Sequence, residues 1–150
     1  MKRLNFLLFA VISTLLFSCG SYSEGELSEF DQEIEKYMKS NKIDCEKSGS
    51  GLYYKIIEEG EGDFIQFTDK VLVKYRGTLL GGEKVDEQTE PIEMAVSAQI
   101  NAWKELMLQL KKGSKAYMIV PPHLGYGDYT VDKIPPNSIL VFELEIVDVM

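Results

Sequence analysis

Met118-Ile119-Val120-Pro121-Pro122, then Gly125-Tyr126-Gly127, then Ile134-Pro135-Pro136-Asn137-Ser138 and Ile139-Leu140-Val141-Phe142 make up the stretch whose reading decides the fold. An apolar run leaves a strand, a tyrosine between two glycines follows, and a second Pro-Pro pair leads back into an apolar strand. A proline has no N–H to give to a ladder, so each pair holds the chain out of the sheet. Tyr126 and Ile134 are therefore expected on a loop that leans over the face the two strands bury. An ordinary long hairpin connection has the same outline, and the rest of the chain has to separate the two.

Working outward, Ile139–Val149 alternates, with Leu140, Phe142, Leu144, Ile146 and Asp148 against Val141, Glu143, Glu145, Val147 and Val149. Lys115–Val120, Leu52–Ile57 and the period-2 run around Val71, Val73 and Tyr75 also read as strands. Val85-Asp86 and Pro91–Met94 are two short apolar pieces flanking a polar loop at 87–90. Ile100, Trp103, Met107 and Leu110 recur at helical spacing, with Ser97 as expected N-cap and Lys111, Lys112 and Gly113 closing the C-terminal end. A second apolar stripe, Leu27, Phe30, Ile34, Tyr37 and Met38, predicts a helix over 27–40 that packs on the domain. Strands outnumber helices without βαβ alternation, so the expected class is α+β with an antiparallel sheet of about five strands around one helix and an extra N-terminal helix.

The 150 residues suit one domain over 51–150. A formal net charge of −8 and no basic stripe argue against a nucleic-acid partner. Residues 1–18 read as a signal peptide: Lys2-Arg3, then a mostly apolar run from Leu4 to Phe17, too short to span a bilayer. The run ends Leu16-Phe17-Ser18-Cys19-Gly20, which resembles a bacterial lipoprotein box with Cys19 as the lipid-bearing residue. Cleavage would remove Lys2 and Arg3 and no acid, so the 16 basic residues become 14 against 24 acidic ones, net −10. Residues 19–50 would then be a lipidated tether, small, polar or acidic over 21–26, plus the N-terminal helix. With Cys19 acylated, Cys45 has no intramolecular partner and is either a buried thiol or an exposed one able to cross-link two molecules. A single histidine and no cysteine pair give no metal-site pattern, and His123 is read as an exposed loop residue. No Gly-x-Ser-x-Gly turn suggests a hydrolase.

Over about 51–150 the chain resembles the FKBP family of peptidyl-prolyl cis–trans isomerases. The carriers are Val71-Leu72-Val73-Lys74-Tyr75-Arg76-Gly77-Thr78-Leu79, Val85-Asp86, Trp103, Lys112-Gly113, Gly125-Tyr126-Gly127, and Ile134-Pro135-Pro136-Asn137 with Leu140-Val141-Phe142-Glu143. Their order and spacing are nearly the family's. The resemblance implies a twisted antiparallel sheet wrapped on a helix, an apolar cleft between them, proline-containing polypeptide substrates, and no cofactor or metal. It implies catalytic roles for Tyr126, Asp86 and Trp103, with Trp103 as floor, Tyr126 offering its hydroxyl to the substrate carbonyl and Asp86 as polar edge. Tyr75, Val85, Ile92, Met94, Ile100, Ile134 and Phe142 would line the substrate site, and the Ile100 N–H would be a second donor. The chain departs from the family at Val85, Ile92 and Met94, where aromatic residues are usual, at Ala102, usually glycine, and in its short 87–90 segment. A lipid-anchored isomerase of the bacterial cell envelope, its domain outside the cytoplasm, is the resulting expectation. A non-catalytic peptide-binding or chaperone-like module of the same fold, in an envelope assembly, is the alternative.

Overall fold

The computed structural model describes residues 22–150; the signal peptide and the Cys19 lipid site lie outside the described residues. Helix α1 runs Glu24–Asn41. It starts earlier than its apolar stripe because Ser23 and Glu26 form a reciprocal capping box: Ser23 Oγ accepts from the Glu26 N–H, and the Glu26 carboxylate accepts from the Ser23 N–H. That box takes up most of 21–26, the segment expected to be a tether. Lys42, left-handed at φ 55°, ends the helix.

Six strands follow: β1 Glu46–Lys47, β2 Tyr53–Glu58, β3 Lys70–Leu79, β4 Lys84–Ala95, β5 Lys115–Val120 and β6 Leu140–Val149. They form one antiparallel sheet in the order β1-β2-β5-β6-β3-β4. Five of them, β2 to β6, lie in 51–150 and match the expected count of about five; the two-residue β1, too short to show a period, precedes that block. The polar loop expected at 87–90 is strand: β4 is continuous, and its irregularity falls where register passes from Val73↔Ile92 to Tyr75↔Gln88. Thr89, Glu90 and Pro91 there lie opposite the single Lys74, which gives the proline a place where no ladder donor is needed. In β6 the register slips between Leu72↔Asp148 and Val73↔Ile146, so the alternation does not carry Asp148 into the core. Val149 packs on the core instead, while Asp148 pairs with Lys112 at 2.8 Å.

Helix α2 spans only Asn101–Met107. Ser97 belongs to a 3-10 turn, Val96–Ala98, and Ile100 is the N-cap with no side-chain cap. Gly113 lies well past the helix, at φ 83°, where its N–H donates to the Ile146 carbonyl at 2.8 Å. Its role is a turn against β6, not a helix stop.

The inner face of the sheet packs on α2 to form the main core, with Val71, Val73, Leu106, Met107, Met118, Leu140 and Ile146 all fully buried. The outer face carries a second cluster: Ile34 of α1 sits among Tyr53, Ile119, Ile139 and Val141, with Phe30, Tyr37, Met38 and Cys45 around it. Cys45 is half-buried at the edge of this cluster, between the buried and the exposed thiol expected, and burial pushes its thiol up to about 11. Asp31 ties the helix to the sheet. It accepts from Lys47 Nζ at 2.6 Å and from the Tyr53 hydroxyl at 3.1 Å.

Candidate functional site

At the start of α2 the inner face of the sheet leaves a small hollow of about 70 Å³. It is lined by Tyr75, Val85, Asp86, Met94, Gln99, Ile100, Trp103, Tyr126, Ile134 and Phe142. These residues come from β3, β4, β6, the start of α2 and the 121–139 loop. The structure thus brings together nine of the ten positions named from the sequence. The tenth, Ile92, does not line the hollow; register places it opposite Val73, and it packs against the main core. Gln99 takes a place the sequence reading missed, its amide fixed by donation to the Ala95 carbonyl at 3.1 Å. No periodicity marks Gln99, because it lies in the extended residue between the 3-10 turn and α2.

Trp103 is 3% exposed and forms the floor. Tyr75 and Phe142 stand edge-on to its indole, with ring centroids at 5.1 and 5.3 Å and interplanar angles of 90° and 85°. Such perpendicular contacts place positive ring edges against a negative face. Phe142 reaches this position because its cross-strand neighbour is Gly77. A Cβ on Gly77 would lie 2.5 Å from Phe142 Cε1, so a side chain there would displace the ring. The glycine is required for space and not for a left-handed backbone.

The polar edge is built by a second irregularity. Gly77 pairs with Asp86 and Thr78 with Lys84, leaving Val85 as the extra residue of β4. Neighbouring strand residues ordinarily face opposite sides of a sheet; the bulge lets Val85 and Asp86 both reach the hollow. Asp86 is held on both oxygens. Oδ1 accepts from the Glu87 N–H at 2.8 Å, and Oδ2 accepts from the Tyr75 hydroxyl. Tyr75, expected as an apolar wall, is therefore also the partner of the aspartate. Burial first, then the Asp86 hydrogen bond and charge, hold the Tyr75 hydroxyl proton well above the usual tyrosine range.

Across the hollow, burial and then the Asp86 charge also raise the Tyr126 hydroxyl, which has no hydrogen-bond partner among the described residues. It is a neutral donor left free at the rim. The Ile100 N–H likewise finds no backbone acceptor among the described residues, since Ile100 stands ahead of the first turn of α2. Floor, walls and two uncommitted donors can hold an apolar ring with a carbonyl beside it.

His123 is half-buried and not an exposed loop residue: its Nε2 lies 2.9 Å from the Ser50 carbonyl, which makes Nε2 the protonated nitrogen, and Nδ1 is buried without a partner.

The family model described as FKBP-type peptidyl-prolyl cis-trans isomerase matches residues 62–147. The FKBP-type peptidyl-prolyl cis-trans isomerase FkpA of Escherichia coli is 38% identical over 118 residues, covering 77% of this chain and 43% of that protein. A probable FKBP-type isomerase of Haemophilus influenzae is 41% identical over 110 residues, covering 71% and 46%. The chain spans less than half the length of these two relatives. The crystal structure of Escherichia coli FkpA superposes with a TM-score of 0.72 at 34% identity, over 84% of this chain and 62% of that one. With an FKBP sheet-and-helix architecture and a family match over more than half its length, the chain belongs to the FKBP-type peptidyl-prolyl cis-trans isomerase family.

Proposed function

We propose that the protein is a peptidyl-prolyl cis–trans isomerase that binds X–Pro segments of polypeptides in the hollow over Trp103. The single observation that carries this reading is the convergence of Trp103, Phe142 and Tyr75 below an uncommitted Tyr126 hydroxyl. Rotation about an X–Pro bond faces a barrier of ~18–20 kcal/mol because the twisted amide loses resonance, so uncatalysed exchange takes ~10–100 s. The twisted imide is less charge-separated than the planar one. A dry aromatic site therefore favours it over the ground state, and that difference alone accelerates the reaction. About 4 kcal/mol of such preference gives roughly a thousandfold, at ~1.36 kcal/mol per decade. In this reading Tyr126 donates to the substrate carbonyl, the Ile100 N–H is a second donor, and Tyr75 with Asp86 fixes the polar edge. Ile134 closes the rim. Met94 and Val85 are the non-aromatic walls.

The test is relaxation of an X–Pro test peptide with the full chain in mild detergent. Tyr126→Phe should lower kcat/KM about tenfold, the worth of one well-placed hydrogen bond in an apolar site, without loss of fold. Trp103→Ala should abolish turnover. If the unsubstituted chain binds the peptide and leaves its relaxation rate unchanged, the non-catalytic binding module of the same fold replaces the enzyme. Val85 and Met94, which leave fewer rings on the walls, are the observation that favours this second reading.

Placement in the cell belongs to the same proposal. Residues 1–18 are read as a signal peptide and Cys19 as the site of a lipid anchor, which puts the domain in the bacterial envelope, outside the cytoplasm, acting on folding envelope proteins. Among the described residues no helix is long and apolar enough to cross a membrane. Acyl chains hold by ~0.8 kcal/mol per buried CH₂. Cys19→Ser should move the protein from the membrane fraction to the soluble one; retention in the membrane fraction would refute the anchor.

A further inference from the structure

Tyr22 stands just before α1, outside the segment that the family model matches. Its ring packs edge-on against Phe30 of α1, at 5.3 Å and 83°, and against His123, at 6.4 Å and 66°. Its hydroxyl donates to Asn137 Oδ1 at 2.7 Å. His123 and Asn137 lie near opposite ends of the 121–139 loop, the one that carries Tyr126 and Ile134. Asn137 is left-handed at φ 59° and donates its N–H to the Gly127 carbonyl at 2.8 Å, while the Gly127 N–H donates to the Pro122 carbonyl at 2.9 Å. One side chain thus touches both ends of the loop, and the path Tyr22–Asn137–Gly127 ends one residue from Tyr126.

We propose that Tyr22 is a positioning residue for the cleft: through Asn137 it lets the N-terminal helix hold the Tyr126 loop over Trp103. The two proline pairs cut this loop out of the ladder, so its position depends on contacts of this kind. Helix α1 does not need the Tyr22 hydroxyl for its own docking, which Ile34, Phe30 and Asp31 secure on the outer face. The hydrogen bond therefore acts on the loop. A donor misplaced by ~1 Å can cost up to ~10²-fold in rate, which makes such a restraint consequential. The kinetic part of this inference rests on the isomerase reading; the structural part does not.

Tyr22→Phe keeps the ring contacts and removes the donor. Asn137→Gly removes the acceptor and keeps a residue at ease at positive φ. Asn137→Asp keeps an acceptor oxygen. Trp103 is the chain's one tryptophan, so acrylamide quenching of its emission in the full chain reports opening of the loop directly. Tyr22→Phe and Asn137→Gly should each raise quenching and raise KM for the test peptide about fivefold, the size of one net hydrogen bond, with kcat changed less. Asn137→Asp should behave as the unsubstituted chain, and the double variant should be no worse than either single one. Unchanged quenching in Tyr22→Phe overturns the proposal, and so do single effects that add in the double variant. If the unsubstituted chain does not isomerise the peptide, the isomerase reading fails on that measurement, and quenching still decides the role of Tyr22.

Discussion

The sheet has one helix on each face, and the two are covered to different extents. On the outer face, α1 is eighteen residues long and seats a fully buried Ile34 among residues of β2, β5, β6 and the segment leading into β6. On the inner face, α2 has seven residues, ~10 Å of helix at 1.5 Å per residue, against strands of ten to twelve residues spanning ~33–40 Å. The remainder is roofed by the 121–139 loop, which brings Tyr126 and Ile134 to the rim of a hollow. The difference teaches where a site can arise: on this sheet it lies on the face that holds the main core, where the covering helix is short and a loop completes the cover.

That contrast can be broken at Ile34. Ile34→Ala should cost about 2–5 kcal/mol in urea denaturation, as a fully buried aliphatic cut to a methyl. While folded, the variant should keep the KM of the unsubstituted chain; a raised KM would mean the faces are not separable at this residue. On the inner face, Gly77→Ala sharpens the comparison. Its methyl meets the Phe142 ring, and the site lies between two hydrogen-bonded neighbours, so it cannot move aside easily. A loss of about 1–3 kcal/mol is expected, together with weaker peptide binding because the ring is displaced into the hollow. Phe142→Leu added to Gly77→Ala should restore part of the stability and not the binding.

The smallest effect is the pH response of the rim. Burial first, and then Asp86, raise the hydroxyls of Tyr75 and Tyr126 above the ordinary tyrosine value of 10.0. Groups whose pKa rises on folding contribute stability that is present below that ordinary value and is lost as pH climbs through the folded one. Activity and stability should therefore be flat through neutral pH, with an alkaline limb beginning only above about pH 10. Asp86→Asn removes the negative charge, so tyrosinate absorbance should appear at lower pH than in the unsubstituted chain. No shift in that titration would show that burial alone sets both hydroxyls.

Much of the site was legible because its residues carry local signals. Tyr126 stands out between two glycines, Trp103 sits on a helical stripe, and Pro-Pro pairs bracket the loop. Ile92 faces the main core as Met94 does, yet which inward residues of β4 reach the hollow follows from strand register, here pairing with Val73, a partner nearly twenty residues away. The 87–90 segment read as a loop because polar side chains and a proline look alike in a loop and in a bulged edge strand. Ser97 looked like a helix cap, yet the chain turns once at 96–98 before α2 begins. The capping box at Ser23 and Glu26 was visible in the sequence, and the apolar stripe that starts at Leu27 drew the boundary too late.

The sequence by itself determined strands β2, β3, β5 and β6, the two helical stripes and the loop held out by its prolines, because each is a matter of local backbone chemistry and spacing. Tertiary structure alone decided that Val85 and Asp86 share one face, that Tyr75 bonds Asp86, that Gly77 makes room for Phe142 and that Tyr22 reaches Asn137. Those contacts depend on cross-strand register and on where one helix lies against a distant loop, and no short-range pattern encodes either.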